Sequence, residues 1–184
     1  MIKKALKNGD THLPKLIFDA IGDIANTLTG EKEKNKILET LEFYIAMEKG
    51  RLSYKNIWVY EVENESAGLI IAYSSNDAKE LDEPIIEHLS TKGISVKAFD
   101  KESLFDEFYI DTVSVRPPFQ RRGIAKALFA FIEQEAKKLG FEKVSLLVDL
   151  ENLQALELYE RMGFEKKGVL KVSNSDFWRM IKEI

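Results

Sequence analysis

Apolar residues recur along this chain at two spacings, and the switches between them outline its elements. Across residues 13–24 and 31–47 the spacing is helical, most plainly at Ile37, Leu41, Tyr44 and Ile45, with Thr27-Leu-Thr-Gly30 predicted as the break. Residues 1–6 predict a short first strand, followed by turn chemistry at Asn8-Gly9-Asp10. Residues 57–62 and 68–73 are rich in β-branched and aromatic side chains, and predict an antiparallel hairpin turning at 63–66. A strand at 107–115, a helix at 123–139 closed by Gly140, and a strand at 143–148 predict a right-handed parallel crossover. Asn152 suits the cap of a helix at 153–162 that ends at Gly163, and two strands at 164–172 and 177–184 turn at 173–176.

Between the hairpin and the 107–115 strand runs a long connection, residues 74–106, which predicts structure of its own and a short helix over 83–92. It is acidic on balance. Two readings follow: a solvated face of an inserted helix, which such charge runs usually are, and a flap shaping a site for a cationic amine.

The 184 residues are 45% hydrophobic, enough for one core, and residues 1–184 read as a single domain carrying that insertion. A net charge of −4 speaks against a nucleic-acid partner, which would want a basic face. With no cysteine, disulfides, thiolate nucleophiles and thiolate metal sites are excluded. His12 and His88 lie far apart in sequence without ligand-like neighbours, so no metal is assigned. No apolar run approaches membrane-spanning length and the start lacks a leader pattern, so a cytoplasmic location without membrane association is expected.

The most specific chemistry lies where the 107–115 strand passes through a Pro-containing loop into Gln120-Arg-Arg-Gly-Ile-Ala125. A diphosphate needs several N–H donors aimed at one point, and the first turn of a helix holds donors without intrahelical partners. The helix dipole adds ~0.3 to 2 kcal/mol per favourable anionic contact. Arg121 and Arg122 add formal charge, Gly123 lets the backbone approach a phosphate closely, and Ala125 keeps the site small. Arg-Arg-Gly alone would describe a solvated helix start. The strand before it and the apolar face after it, Ile124, Leu128, Phe131, Ile132, Ala136 and Leu139, favour the anion site. Gly-x-x-x-x-Gly-Lys-Ser/Thr and Gly-x-Gly-x-x-Gly are both absent.

A second motif follows one helix and one strand later: Asn152, then Leu158-Tyr159-Glu160, then Gly163-Phe164. In this order the two motifs strongly resemble the GNAT superfamily of acetyl-CoA-dependent N-acetyltransferases. Pattern and resemblance together predict an α/β (α+β) fold: a mixed, mostly antiparallel sheet of six to seven strands, with a central parallel pair and helices on both faces.

The resemblance implies acetyl-CoA as the acyl donor. It places Gln120, Arg121, Arg122, Gly123, Ile124 and Ala125 on the pyrophosphate, backbone from Val113, Ser114 and Val115 at the thioester, and Asn152 and Tyr159 at the cofactor. It also implies a bulge and a splaying of the parallel strands, which the alternation over 108–115 does not itself show. Tyr159 stands where the family often keeps a tyrosine to protonate the CoA thiolate. A phenol near pKa ~10 is a weaker acid than a thiol near ~8.5, so full transfer is uphill by about 2 kcal/mol and a hydrogen bond to the thiolate is the expected role. A core tyrosine, with Leu156 and Leu158 around it, is the competing reading. Asn152 reads equally well as a helix cap.

Where some members carry a glutamate this chain has Leu147, which leaves the base open. Asp111 is the nearest acidic candidate and Asp149 the next. Each also reads as a structural carboxylate, and a water relay needs neither. The expected function is acetyl transfer to a primary amine of a small molecule or protein, with oligomeric state open and a homodimer compatible. The missing glutamate keeps alive a CoA-binding sensor that has lost transfer; a nucleotide-dependent enzyme fits less well for want of magnesium-binding residues.

Overall fold

A computed structural model describes residues 1–8 and 10–184, so the turn predicted at Asn8-Gly9-Asp10 falls on a position outside them. The chain forms β1 (Ile2–Lys4), α1 (Leu13–Ile21), α2 (Ile24–Thr29), α3 (Lys34–Ala46), β2 (Ile57–Val62), β3 (Glu65–Ser74) and α4 (Ala78–Thr91). It continues through β4 (Phe108–Val115), α5 (Ile124–Lys138), β5 (Lys143–Asp149), α6 (Leu153–Arg161), β6 (Glu165–Val172) and β7 (Ser175–Glu183). Seven strands make one sheet in the order β1-β2-β3-β4-β5-β7-β6, antiparallel throughout except for the parallel pair β4–β5.

Helices cover both faces, and β3 shows how alternation divides the core between them. Leu69, Ile71 and Tyr73 pack with Leu16, Ile17, Leu41 and Leu89 from α1, α3 and α4. Ile70 and Ala72 point the other way, toward Leu128, Ile132 and Leu156 from α5 and α6. A strand buried on both sides reads as a continuous apolar run, which is what residues 67–73 are. Each fully buried aliphatic side chain contributes about 1.5–3 kcal/mol. Among the described residues no helix is long and apolar enough to cross a membrane.

Three elements depart from the pattern. The break expected over 27–30 comes only at its last residue: α2 runs through Thr29, with Leu28 buried and the Thr29 hydroxyl donating to Ala25 O at 2.7 Å, and ends on left-handed Gly30. A second interruption, inside the expected 13–24 helix, falls at Gly22, where φ is +53°. The β2–β3 hairpin turns on two residues rather than four, with Glu63 and Asn64 both left-handed, because that turn's twist matches the strands. Finally, α4 starts five residues before the predicted 83 and carries Pro84 inside it, held down by buried Ile85 and Leu89.

Two irregularities in β4 set up the site. Against β3, Ile71 pairs with Thr112 and Ala72 with Ile110, so Asp111 is the extra residue of a β-bulge. Against β5, pairing runs only through Phe108–Val144, Tyr109–Ser145 and Ile110–Leu146. Past Ile110 the parallel strands separate, while β5 stays paired to β7 out to Asp149.

Candidate active site

The loop after β4 delivers six amides to one place. Ala127 is the first residue of α5 whose N–H closes on the preceding turn, onto Gly123 O at 3.0 Å. Among the described residues, the N–H groups of residues 121–126 have no protein acceptor. Arg121 at φ +60° and Gly123 at φ +79° curl the chain left-handed on either side of Arg122, which makes the concavity. Both arginine side chains are exposed, and the Arg122 guanidinium lies 5.3 Å from the Phe119 ring centroid. No protein atom lies within 4 Å of where a Cβ on Gly123 would stand, so its requirement for glycine is conformational, and any crowding would fall on a bound anion.

The split continues this cradle inward. Arg116 N–H is used by Ala67 O at 2.9 Å, so strand alternation turns Ser114 toward β3, and Val113 and Val115 toward the split. Ser114 backbone is therefore spent on the sheet, whereas among the described residues the Val113 main-chain groups and the Val115 N–H are open. The Gln120 side chain donates to Val115 O at 2.9 Å, which ties the loop to the strand rather than reaching outward. These groups suit a diphosphate followed by an amide-bearing arm laid along β4.

Tyr159, on α6, packs its ring against Phe129 and Phe164, with centroids 5.5 and 6.1 Å away. Burial pushes its phenol up to about 12, and among the described residues its hydroxyl has no hydrogen-bond partner. Asn152 caps α6, its side-chain oxygen accepting Ala155 N–H at 3.1 Å, and among the described residues its NH2 has no partner. Asp149 is occupied as a turn residue, accepting Glu151 N–H at 2.8 Å. Leu147 packs on the α1–α4 side of the sheet.

The bulge residue Asp111 is fully engaged. One oxygen accepts from Arg51 Nε at 2.8 Å and the Tyr73 hydroxyl at 2.6 Å, the other from the Thr112 hydroxyl at 2.9 Å. Arg51, only 5% exposed, also reaches Glu102 at 2.8 Å and Asp82 at 3.4 Å. Glu102 in turn accepts from the Tyr109 hydroxyl at 2.7 Å. Burial works against charge on Arg51, but Asp111 and Glu102 overcome it and hold the guanidinium protonated.

Arg51, Tyr73 and Tyr109 of this cluster floor a cavity of about 420 Å³ at the opposite end of β4 from the amide cradle, roofed by α4 and residues 97–105, which bring Asp82 and Glu102 to it. Sequence reasoning put Asp82 and Glu102 in an acidic segment but missed Arg51, because nothing local marks an arginine that is buried by contacts 31 to 60 residues away. Among the described residues no group of three or more His, Cys, Asp or Glu could hold a metal ion.

Burial raises the Asp82 carboxyl to about 6, with Arg51 opposing. The folded state then binds its proton more tightly than the unfolded chain, so stability falls as pH rises from about 4 to about 6. The expected loss is up to about 3 kcal/mol. Urea unfolding of wild type and Asp82→Asn across that window should show the decline in wild type and its removal in the variant.

Comparison with known proteins agrees with this geometry. The profile of the acetyltransferase (GNAT) family matches residues 23–164. An N-acetyltransferase of Methanocaldococcus jannaschii, MJ1207, is 43% identical over 75 residues, 41% of this chain. That match covers 31% of MJ1207, so the chain spans about a third of that curated relative. A crystal structure of an acetyltransferase is 30% identical, covering 100% of this chain and 99% of its own at a TM-score of 0.81. An N-acetyltransferase from Staphylococcus aureus Mu50 superimposes at 0.82 with 26% identity, covering 98% and 99% of the two chains. The bulged and split strand, the amide cradle after it and the tyrosine on α6 are thus set in a chain that belongs to the acetyltransferase (GNAT) family.

Proposed function

We propose that this protein transfers the acetyl group of acetyl-CoA to a primary amine of a small molecule or a protein. The observation that carries the reading is the continuity of the β4–β5 split with six unpartnered amides at residues 121–126. Bound there, acetyl-CoA supplies an activated acyl carbon and a thiolate leaving group. The amides of 121–126, with Arg121 and Arg122, hold the pyrophosphate. Val113 and Val115 present N–H groups to the arm and to the acyl oxygen, where a fixed backbone donor stabilises developing negative charge without reorganising. Tyr159 donates to the departing sulfur. Asp111 takes no proton in this scheme, since both its oxygens are engaged; it positions Arg51 beside the bulge.

Calorimetry with acetyl-CoA tests the site. Gly123→Leu forces a side chain into a left-handed position at a cost of about 1–2 kcal/mol, which the fold tolerates, and it crowds the cradle. Affinity is expected to fall at least about tenfold, since one lost charge-assisted hydrogen bond to an anion is already worth about 1.5–3 kcal/mol. Undiminished affinity in this variant, or no uptake by wild type, defeats the assignment. Release of CoA upon adding primary amines tests transfer itself.

A further inference from the structure

Three carboxylates converge on Arg51, and they differ in what remains free. Asp111 is bonded at both oxygens, and it does not line the cavity. Glu102 gives one oxygen to Arg51 and the other to the Tyr109 hydroxyl. Asp82 touches Arg51 through Oδ1 alone, at 3.4 Å, and among the described residues its Oδ2 has no partner. It lines the cavity. Its side chain keeps 17% exposure, which gives a proton held there a way out to water. The same guanidinium that touches Asp82 also binds Asp111, the residue at which the strands begin to part, so Asp82 stands one side chain from the start of the split.

We infer that Asp82 is the proton acceptor for an aliphatic primary ammonium bound in the α4-roofed cavity. This rests on the acetyl-transfer reading above. An aliphatic ammonium near pKa ~10.4 is neutral in only about one molecule in 10³ at pH 7, so it needs a base within reach. One N–H proton passes to Asp82 Oδ2, and the freed nitrogen lone pair forms the C–N bond. The C–S bond breaks with its electron pair going to sulfur, and the second N–H proton ends on that sulfur, giving amide, CoA thiol and Asp82 carboxylic acid. Water then takes the proton from Asp82.

Burial sets this carboxyl near 6, which leaves it ionised yet basic at neutral pH. The charged groups that act on it are Arg51 from the segment after α3, Glu102 from the roof and Asp111 from β4. Lys79, Glu83 and Glu87 from α4 itself and Lys97, Asp100 and Lys101 from the facing segment also line the cavity, and Tyr73 and Tyr109 are buried phenols held far above neutrality.

The test follows CoA release from acetyl-CoA with spermidine, cadaverine, lysine and an alanine-initiated peptide, and uses the best acceptor for pH profiles. Asp82→Asn is expected to lower kcat about a hundredfold at pH 7 with acetyl-CoA affinity unchanged. The deficit should shrink to a few-fold by about pH 9, where solvent supplies far more neutral amine. Asp82→Glu should retain the acidic limb at an intermediate rate. A merely structural residue would not give rescue by alkali. If Asp82→Asn keeps the wild-type profile shape across this range, or Asp82→Glu loses the acidic limb, the inference falls while transfer stands. A wild-type protein that binds acetyl-CoA but acetylates none of the panel overturns the transfer reading and this inference with it.

Discussion

Tyr159→Phe is expected to lower turnover by about 10² to 10⁴ while acetyl-CoA affinity stays within a few-fold of wild type. The ring's place against Phe129 and Phe164 is kept by phenylalanine, and among the described residues the hydroxyl removed has no partner to strand. Folding stability should therefore hold steady or rise slightly, which separates this variant from a merely damaged one. The size of the effect follows from where the hydroxyl sits. With the phenol pushed up to about 12, it lies some 3.5 units above a thiol near ~8.5, and handing its proton over completely would be uphill by about 5 kcal/mol. In the proposed mechanism its contribution is a hydrogen bond to sulfur as negative charge develops, which counts for more in a low-dielectric surrounding than in water. Single-turnover kinetics, which isolate chemistry from product release, provide the check. An unchanged chemical step in this variant removes Tyr159 from the mechanism.

Arg51→Leu should cost about 3–5 kcal/mol of folding stability, because it leaves Asp111, Glu102 and Asp82 buried or half-buried without their shared counter-charge. For a chain of this size that corresponds to a melting temperature lower by about 6–20 °C. The pH dependence carries the proof. Carboxylates stripped of Arg51 titrate higher in the folded state than in the unfolded chain, so the variant's deficit is smallest in acid and grows as pH rises through their folded range. Adding Asp111→Asn and Glu102→Gln to Arg51→Leu should recover much of the loss, since neutral groups no longer need the cation. A deficit below about 1 kcal/mol that is flat with pH would mean that water, rather than Arg51, neutralises the cluster.

Much of the sheet was legible because alternation and turn chemistry are local. Phe108–Val115, Lys143–Asp149 and the last two strands lie within two residues of their predicted bounds. The helix ends were harder: Gly22 and Gly30 both end helices, but only the second was read as a boundary. The bulge did leave a trace that the alternation argument overlooked. Phe108 and Ile110 face the α5 core, and so do Val113 and Val115, so the apolar step lengthens from two residues to three across Asp111. An inserted residue does this by reversing which face the odd positions take.

The sequence by itself determined the free amides of the helix start and the tyrosine on the capped helix, because each is written in a contiguous motif whose geometry is local: a helix start without intrahelical acceptors, and a capped helix presenting one phenol. Only the tertiary structure decided the cavity proposed for the acceptor. Arg51, Asp82, Glu102, Tyr109 and Asp111 come from separate parts of the chain, and which carboxylate is free to take a proton depends on how one guanidinium's few N–H groups are shared among three acids. Charge counted along a sequence cannot report that sharing, since the partners are chosen by packing and the oxygen left over by geometry.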